Sequence, residues 1–280
     1  MKKYTLIGHP LGHSMSPFIH DRLFKLKGRE VSYSLTDISP EDLNSKKEYL
    51  KSEFVGYNIT IPHKVAVIPF IDKMDTSALR YNSVNCVANT QEGSVGYNTD
   101  CYGFLNSLKM NDISLDGKVL LLGCGGVGRM MAIESLLHGV TLTIAIIEEA
   151  RDMCNTLLAE LNEKFPNVKV EVVLMSEITG SFDLVINSTP VGMFPKVDNC
   201  PLSDETISKC GAVFDAIYNP TETKLVQKFK AQGKKAVGGM AMLVLQAVKA
   251  HELWDNDTYS NDEIDEIIKQ SNEKVEKDFQ

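Results

Sequence analysis

The sequence predicts an α/β protein built on a doubly wound parallel sheet of the Rossmann type. From Lys118 to residue 216, short apolar runs alternate with helical stretches, which is typical of parallel strands joined by helices. The apolar run 119–122 also stops at a glycine cluster, directly before a helical pattern. A buried strand, a tight turn and a helix in this order form the unit that binds dinucleotides in such sheets.

The glycine cluster fits the pattern G-x-G-x-x-G at Gly123, Gly125 and Gly128. In this geometry the first glycine allows the turn, the second lets a pyrophosphate approach the backbone, and the third lets the helix pack closely on the strand. Free N–H groups and the helix dipole then favour the anion. A glycine-rich turn without a ligand is the alternative, but the flanking strand and helix favour dinucleotide binding.

Length and charge limit the classes of function. The 280 residues correspond to one large domain or two modest ones. The net charge of −8 argues against a nucleic-acid partner, because the chain has no basic stripe that could bind phosphates. No apolar run reaches the ~18 residues that are needed to span a bilayer. The N-terminus reads as a first strand and not as a signal peptide. Six cysteines without a C-x-x-C pair indicate reduced thiols in a cytoplasmic protein.

The first hundred residues predict further strands and helices, with polar side chains where these elements end. Strands are expected at 3–8, 31–35, 58–61 and 82–89, and helices at 18–27, from Ser39, and through Phe104 and Leu108. Ser14 and Ser16 form either a hydroxyl-rich binding edge or a helix cap. Lys64 emerges beyond a strand that presents Asn58 and Thr60 on one face, which favours a functional lysine over a merely solvated one. Asp100 is either functional or a helix cap.

The remainder of the chain continues the alternation. The polar segment 111–117 is a candidate linker, and Gly139 is expected to end the helix that follows the glycine turn. Further strands are expected at 140–147, 168–174, 183–187 and 212–216, and helices at 149–165 and 240–253, with a charged surface helix after Asp255. Two turn-rich loops, 187–195 and 218–221, follow strands and so belong at the carboxyl edge of the sheet, where ligands bind.

Taken together, these motifs resemble the shikimate dehydrogenase family, from the first strand to about Trp254. The resemblance rests on residues 12–17 (Gly-His-Ser-Met-Ser-Pro), 58–64, 84–85, 98–100, the glycine turn, 187–193, 215–220 and 239–246. It implies a cofactor domain, residues 108–238, inserted into an α/β substrate domain formed by 1–107 and 239–280. It also implies the reversible reduction of 3-dehydroshikimate to shikimate with a nicotinamide cofactor.

The resemblance assigns roles residue by residue. Lys64 and Asp100 are the expected catalytic pair, since a protonated lysine can polarise a carbonyl oxygen and donate to it. The expected substrate-binding residues are Ser14 and Ser16 for the carboxylate, and Thr60, Asn85, Tyr218 and Gln246 for the remainder of the molecule. The expected cofactor-binding residues are Gly123, Gly125, Gly126, Val127, Gly128, Arg129, Glu148, Arg151, Thr189 and Gly239.

The choice between NADP and NAD depends on the second strand of the cofactor domain. Members of the family that use NADP commonly follow this strand with an Asn-Arg-Thr type loop, whose arginine binds the 2′-phosphate. This chain has Ile147, Glu148 and Glu149 there, and a carboxylate repels a phosphate but can accept from a ribose hydroxyl. The sequence therefore favours NAD or relaxed specificity, with Arg151 as a possible phosphate partner. The alternative is that the two glutamates only favour a helix N-terminus.

Three other readings compete with shikimate dehydrogenase. Quinate dehydrogenase shares nearly all the motifs, and a single sequence does not separate the two substrates. A catalytically silent dinucleotide-binding protein on the same fold is disfavoured because Lys64 and Asp100 are both kept. A metal site formed by His9, His13 and His20 is rejected, since their spacing matches no common ligand pattern. The expected partner is a small-molecule substrate, with monomer and homodimer both open and no metal, nucleic acid or membrane partner.

Overall fold

The computed structural model describes residues 1–12 and 14–278. The chain divides into two compact units. The first comprises Met1–Gly103 and Val244–Ser271, and the second comprises Phe104–Leu243 and Asn272–Gln280. The assignment of a substrate domain to 1–107 plus 239–280, and of a cofactor domain to 108–238, remains a proposal.

The first unit contains a mixed sheet of six strands in the order β2-β1-β3-β5-β6-β4. Its strands are β1 (Lys2–Gly8), β2 (Val31–Asp37), β3 (Gly56–Ile59), β4 (Lys73–Met74), β5 (Cys86–Thr90) and β6 (Gly93–Tyr97). The helices that begin in it are α1 (Ser16–Leu26), α2 (Lys47–Glu53), α3 (His63–Ala66), α4 (Thr76–Tyr81) and α5 (Asp100–Met110). β1 is parallel to both neighbours, whereas β5 is antiparallel to β3 and β6.

The second unit contains six strands in the order β12-β11-β10-β7-β8-β9, and every neighbouring pair is parallel. Its strands are β7 (Lys118–Leu122), β8 (Thr141–Ile146), β9 (Glu171–Leu174), β10 (Phe182–Asn187), β11 (Cys210–Asp215) and β12 (Lys235–Val237). The remaining helices are α6 (Gly126–Leu137), α7 (Arg151–Lys164), α8 (Asp204–Ser208), α9 (Lys224–Ala231), α10 (Met240–Asp255) and α11 (Asn261–Asp278). The predicted doubly wound parallel sheet is confirmed.

The glycine turn lies where the strand order of the second sheet reverses. β7 pairs with β8 on one side and with β10 on the other, so the chain winds outward in both directions from β7. The apolar side chains of residues 119–122 are completely buried, as expected for a strand covered on both faces. In doubly wound sheets this reversal point, at the carboxyl ends of the strands, is where ligands bind.

Two of the expected elements begin later than the sequence predicted. Ser39 lies in a turn, where its hydroxyl accepts from the backbone N–H of Asp42 at 3.2 Å, and α2 starts only at Lys47. The hydroxyl satisfies a turn amide here in the same way as it would cap a helix, so the two patterns look alike in sequence. The strand expected from Asn82 begins at Cys86, because Asn82 ends the short helix α4 in the left-handed region at φ 45°.

The helices of the described residues include none that is both long and apolar enough to cross a membrane.

Candidate active site

Lys64 and Asp100 form an ion pair in the first unit. Lys64 lies in the single turn of α3, directly after β3, and Asp100 is the first residue of α5. The ammonium Nζ of Lys64 donates to Oδ2 of Asp100 at 2.6 Å, and the two side chains are 25% and 16% exposed. A charge-assisted hydrogen bond of this length between partly buried groups fixes the lysine while leaving part of it open to a ligand.

The side-chain amide of Asn85 holds the second carboxylate oxygen of Asp100. The amide Nδ2 of Asn85 donates to Oδ1 of Asp100 at 2.7 Å, and Oδ1 of Asn85 accepts from the backbone N–H of Thr99 at 2.6 Å. The Thr99 hydroxyl in turn lies 3.4 Å from Oε1 of Gln246 on α10. Asn85, Thr99 and Gln246 are all buried, so this network fixes the Asp100 carboxylate with few alternative conformations.

The two predicted serines lie close together at the start of α1. The backbone N–H of Ser16, the first residue of α1, donates to the hydroxyl of Ser14 at 3.2 Å, so Ser14 satisfies one of the free N–H groups at this helix end. In the same unit, the Tyr33 hydroxyl donates to Oδ1 of Asn58 at 2.9 Å. Thr60 follows β3 and is partly buried. The structure therefore brings the serines together but leaves their ligand a proposal.

The glycine turn has the predicted strand–turn–helix form. Gly123 has a positive φ of 89°, and α6 begins at Gly126, so Val127 and Gly128 belong to its first turn. A Cβ at Gly128 would lie 2.5 Å from the Ser188 hydroxyl and 3.0 Å from the Gly123 carbonyl oxygen. Packing therefore requires the third glycine. Thr189 lies beside the first, since a Cβ at Gly123 would meet Thr189 Cγ2 at 2.9 Å.

Gly125 and Gly126 have no such neighbours. A Cβ added at either would meet no atom of the described protein within 4 Å, and Gly125 has an ordinary φ of −68°. Neither backbone conformation nor packing explains a glycine at 125. The remaining explanation for this glycine is the open surface that it leaves beside the first N–H groups of α6, which have no acceptor within the helix. This surface fits a phosphate group that must approach the backbone closely.

Two predicted cofactor residues have partners of their own in this structure. The guanidinium of Arg129 forms two hydrogen bonds of 2.6 Å with the carboxylate of Glu160 on α7. The guanidinium of Arg151 makes a similar bidentate pair with Glu148, at 2.5 and 2.6 Å. Glu148 and Arg151 are both exposed, and the pairing lowers the pKa of Glu148 and raises that of Arg151. Glu148, which favours NAD, therefore binds Arg151, the residue expected to bind the 2′-phosphate of NADP.

The remaining predicted residues of the second unit lie on its strand-end loops. A Cβ at Gly239 would come within 2.2 Å of the Ala216 carbonyl oxygen, so close packing explains this glycine without a ligand. Tyr218 follows β11 and is partly buried, and its burial raises the pKa of the phenol. The structure places Tyr218 in the second unit, whereas the other predicted substrate residues lie in the first.

The described residues contain no cluster of three or more His, Cys, Asp or Glu side chains that could hold a metal. Of the three histidines weighed as ligands, His13 lies outside the described residues. His9 pairs with Asp37 at 2.7 Å. His20 is completely buried with its Nδ1 3.0 Å from Nε2 of His251, and burial holds its pKa well below the usual range.

Comparison with known proteins identifies the family. A family model described as the shikimate dehydrogenase substrate binding domain matches residues 6–87. The shikimate dehydrogenase (NADP(+)) of Caldanaerobacter subterraneus is 35% identical over 272 residues, which is 96% of each chain. The corresponding enzyme of Geobacillus kaustophilus is 37% identical over 260 residues, 90% of this chain and 92% of its own. The chain belongs to the shikimate dehydrogenase family.

Solved structures of the family have the same fold. The shikimate 5-dehydrogenase of Thermus thermophilus, solved with NADP(H) and shikimate, superimposes with a TM-score of 0.83 at 29% identity, over 97% of this chain and all of that one. As a shikimate dehydrogenase family member, the protein is an oxidoreductase that acts on a CH–OH group with NADP or NAD. The predicted α/β fold and family are therefore confirmed.

A second polar network, not predicted from the sequence, holds the strand-end loops of the second unit. The carboxylate of Asp215, at the end of β11, accepts from Asn187 Nδ2 at 3.0 Å, the Ile217 N–H at 3.1 Å and the Thr223 hydroxyl at 2.6 Å. Asn187 Oδ1 in turn accepts from the Thr189 hydroxyl at 2.7 Å. The strand-end asparagine and aspartate were visible in the motifs at 187–193 and 215–220, but sequence gives no sign that they touch.

Burial raises the pKa of Asp215 to about 6 from an ordinary value of 3.8, against the opposing effect of the three hydrogen bonds that the carboxylate accepts. Since the folded state binds this proton more tightly, the contribution of Asp215 to the free energy of unfolding is full below pH 4 and is lost as pH rises through 6.

We expect Asp215→Asn to remove this slope of the free energy of unfolding against pH. The slope corresponds to a loss of up to ~3 kcal/mol between pH 4 and 7. Urea unfolding at several pH values measures it. The exposed Asp152→Asn should keep the slope, and an unchanged slope in Asp215→Asn would refute the assignment.

Proposed function

We propose that the protein is a shikimate dehydrogenase, which reversibly reduces 3-dehydroshikimate to shikimate with NADPH or NADH. The observation that carries the proposal is the ion pair of Lys64 and Asp100, with the carboxylate fixed from its other side by Asn85. A protein that only bound a dinucleotide would have no need of a partly exposed proton donor held in this way. Catalytically silent binding is therefore the weaker alternative.

The proposed catalytic step is proton donation by Lys64. In the reductive direction the ammonium polarises the substrate carbonyl and delivers a proton to its oxygen as negative charge develops there. Asp100 holds the ammonium at 2.6 Å and balances its charge. In the oxidative direction Lys64 must first lose a proton so that it can accept the proton of the substrate hydroxyl. Asn85 positions Asp100, and Asp100 positions the lysine.

The proposed substrate contacts come from small polar side chains of the first unit. Ser14 and Ser16 supply two neighbouring hydroxyls at the start of α1 for the carboxylate. Thr60, Asn85 and Gln246 supply a hydroxyl and two amides for the substrate hydroxyls, and Tyr218 is proposed as a further contact. Such groups match a polyhydroxy acid because each can donate and accept hydrogen bonds without adding charge.

The nicotinamide cofactor, when bound, supplies the hydride. We propose that the open surface at Gly125 and Gly126 holds its pyrophosphate, with the N–H groups of Val127 and Gly128 as donors. Gly123, Arg129, Thr189 and Gly239 complete the proposed site. Of these, Arg129 and Gly239 have structural partners already, so their effect on the cofactor is proposed to be indirect.

The test is oxidation of shikimate, followed by the absorbance of the reduced cofactor, with NADP and NAD in parallel. Turnover with either cofactor supports the proposal. Turnover with quinate in place of shikimate would instead favour quinate dehydrogenase, which shares these motifs. Binding of a dinucleotide without turnover of either substrate would make the catalytically silent protein the better description.

We further propose that NAD is used at least as well as NADP. Glu148 follows β8, where a carboxylate can accept from a ribose hydroxyl and repels a 2′-phosphate. The bidentate pair with Glu148 also holds the guanidinium of Arg151, which is therefore not free to bind a phosphate unless the pair opens. Both features favour the unphosphorylated ribose.

Replacing the carboxylate should therefore shift the preference toward NADP. In Glu148→Ala we expect the ratio of kcat/KM for NADP to that for NAD to rise about tenfold or more, because repulsion is removed and Arg151 is released. Steady-state kinetics with both cofactors measure the ratio. The matched control is Glu149→Ala, the adjacent exposed carboxylate, which should leave it within about twofold. An unchanged ratio in Glu148→Ala would mean that Glu148 only favours the helix start.

A further inference from the structure

The short helix that carries Lys64 is anchored by the histidine before it. α3 is a single turn of four residues, and of these four only His63 is buried. His63 is 1% exposed, whereas Val65, on the other side of Lys64, is 55% exposed. Ile61, which leads into the turn, is 73% exposed. Within the turn, the histidine is therefore the residue that packs into the first unit.

The imidazole of His63 is bound to the main chain of a distant segment. Its Nε2 lies 2.6 Å from the carbonyl oxygen of Ile38, the residue that follows β2. Because a carbonyl oxygen can only accept, Nε2 carries a proton and donates it to this bond. Ile38 is itself buried, and its N–H donates to the carbonyl oxygen of Gly8, at the end of β1, at 3.1 Å. The acceptor therefore belongs to a segment that is fixed to the sheet.

Main-chain hydrogen bonds hold the turn at two further points. The N–H of His63 donates to the carbonyl oxygen of Thr60 at 3.0 Å. The carbonyl oxygen of Lys64 accepts from the N–H of Val84 at 2.8 Å, and Val84 immediately precedes Asn85. A single helical turn is not stable by itself, because it fixes several residues for one hydrogen bond. The position of Lys64 therefore depends on contacts with distant segments.

We propose that His63 is a positioning residue for Lys64, and that its hydrogen bond to Ile38 keeps the ammonium within reach of Asp100. The inference rests on the proposed function, since it takes Lys64 as the proton donor. His63 acts through the main chain of the turn and not on the substrate. An apolar residue of similar size could fill the buried position, but it could not bind the carbonyl oxygen of Ile38.

Loss of this hydrogen bond should affect the reaction and not the binding of the cofactor. Without the imidazole donor, the carbonyl oxygen of Ile38 loses its partner, and the turn can shift to relieve the loss. A displacement of about 1 Å in a reacting geometry can lower the rate about a hundredfold. The proposed pyrophosphate site lies at the start of α6 in the second unit, and it should bind dinucleotides as before.

The experiment compares His63→Leu with His63→Gln, whose side-chain amide can donate from about the position of the imidazole Nε2. In His63→Leu we expect kcat for shikimate oxidation to fall about tenfold to hundredfold, with the Kd for NADH and NADPH within about twofold. His63→Gln should restore kcat to within about threefold of the unaltered protein. If His63→Leu does not fold, His63→Asn replaces it, because its amide is too short to reach Ile38.

Two further variants separate positioning from a general loss of stability. His251→Leu removes another buried imidazole of the first unit, one that is hydrogen-bonded to His20 and Tyr259. It should lose thermal stability but keep kcat within about threefold. In the Lys64→Ala background, His63→Leu should lower the remaining rate less than about twofold, because the group that it positions is gone. A merely structural role would lower the rate equally in both backgrounds.

A crystal structure of His63→Leu, or of His63→Asn in its place, measures the geometry without depending on turnover. We expect the distance between Nζ of Lys64 and Oδ2 of Asp100 to exceed about 3.5 Å, so that the hydrogen bond is lost. An unchanged distance of 2.6 Å would overturn the proposal. An unchanged kcat, no recovery in His63→Gln, or an equal loss in both backgrounds would overturn it as well. Absence of turnover in the unaltered protein would instead refute the proposed function, while the crystal structure would still test what holds Lys64.

Discussion

Lys64→Ala is expected to lower kcat for shikimate oxidation about a thousandfold, within the range for loss of a general acid–base group. The variant loses the proton donor itself, so the effect should appear mainly in kcat and less in KM for shikimate. The ion pair with Asp100 is mostly buried, and the variant leaves the carboxylate without its cation, so some loss of stability should accompany the loss of activity. Circular dichroism and thermal unfolding alongside the kinetics would check that the variant is folded.

A matched lysine controls for the loss of charge. Lys51 also forms an ion pair in the first unit, at 3.0 Å from Asp72, but lies on α2 outside the proposed site. Lys51→Ala should keep activity within about twofold. If Lys64 and Asp100 act as one unit, Asp100→Asn combined with Lys64→Ala should be little worse than Lys64→Ala alone. Activity of Lys64→Ala within tenfold of the unaltered enzyme would remove Lys64 from the catalytic role.

The second large effect is expected at the glycine turn. Gly126→Val places a side chain on the open surface where the pyrophosphate is proposed to lie, and its Cβ would meet no atom of the described residues within 4 Å. We expect the Kd for NADH and NADPH to rise about a hundredfold, because the added methyl groups prevent close approach of the phosphate to the backbone. Thermal unfolding without cofactor should be nearly unchanged, since nothing in the described structure is displaced.

Gly128 provides the contrasting variant. Its added Cβ would meet the Ser188 hydroxyl at 2.5 Å and the Gly123 carbonyl oxygen at 3.0 Å. Gly128→Ala should therefore lower the free energy of unfolding by about 1–3 kcal/mol, as overpacking does elsewhere. A Gly126→Val protein that is equally destabilised, or that binds the cofactor normally, would contradict the assignment of the open surface.

Much of the fold was predictable because each strand and helix has a local signature. The buried strand β7, the glycine turn and α6 combine an apolar run, turn residues and helical periodicity within about twenty residues. The short elements were not predicted because they lack such a local signature. α4 has six residues and β12 three, which is too few to show a period, and their positions depend on packing against distant segments.

The candidate site was predictable only in part. Lys64 and Asp100 could be named from the family motifs, and the structure brings them to 2.6 Å. Asn85 and Gln246 were named only as substrate-binding residues. Their hydrogen bonds to Asp100 and Thr99 could not be predicted, because only the fold joins these three segments of the chain. The pairing of Arg151 with Glu148 was also missed, although the two residues are three apart, since sequence does not fix which of several charged neighbours a surface arginine selects.

The open surface at Gly125 and Gly126 has a consequence for the evolutionary history of this chain. Because a Cβ at either position would meet no atom of the described residues within 4 Å, a small substitution there should leave the protein folded and escape the quality control that removes unfolded proteins. If these glycines hold the pyrophosphate as proposed, selection on their two codons would come from the enzyme's reaction alone. In a duplicated gene copy relieved of that reaction, they should drift before Gly128 does, leaving a stable protein that has lost its cofactor.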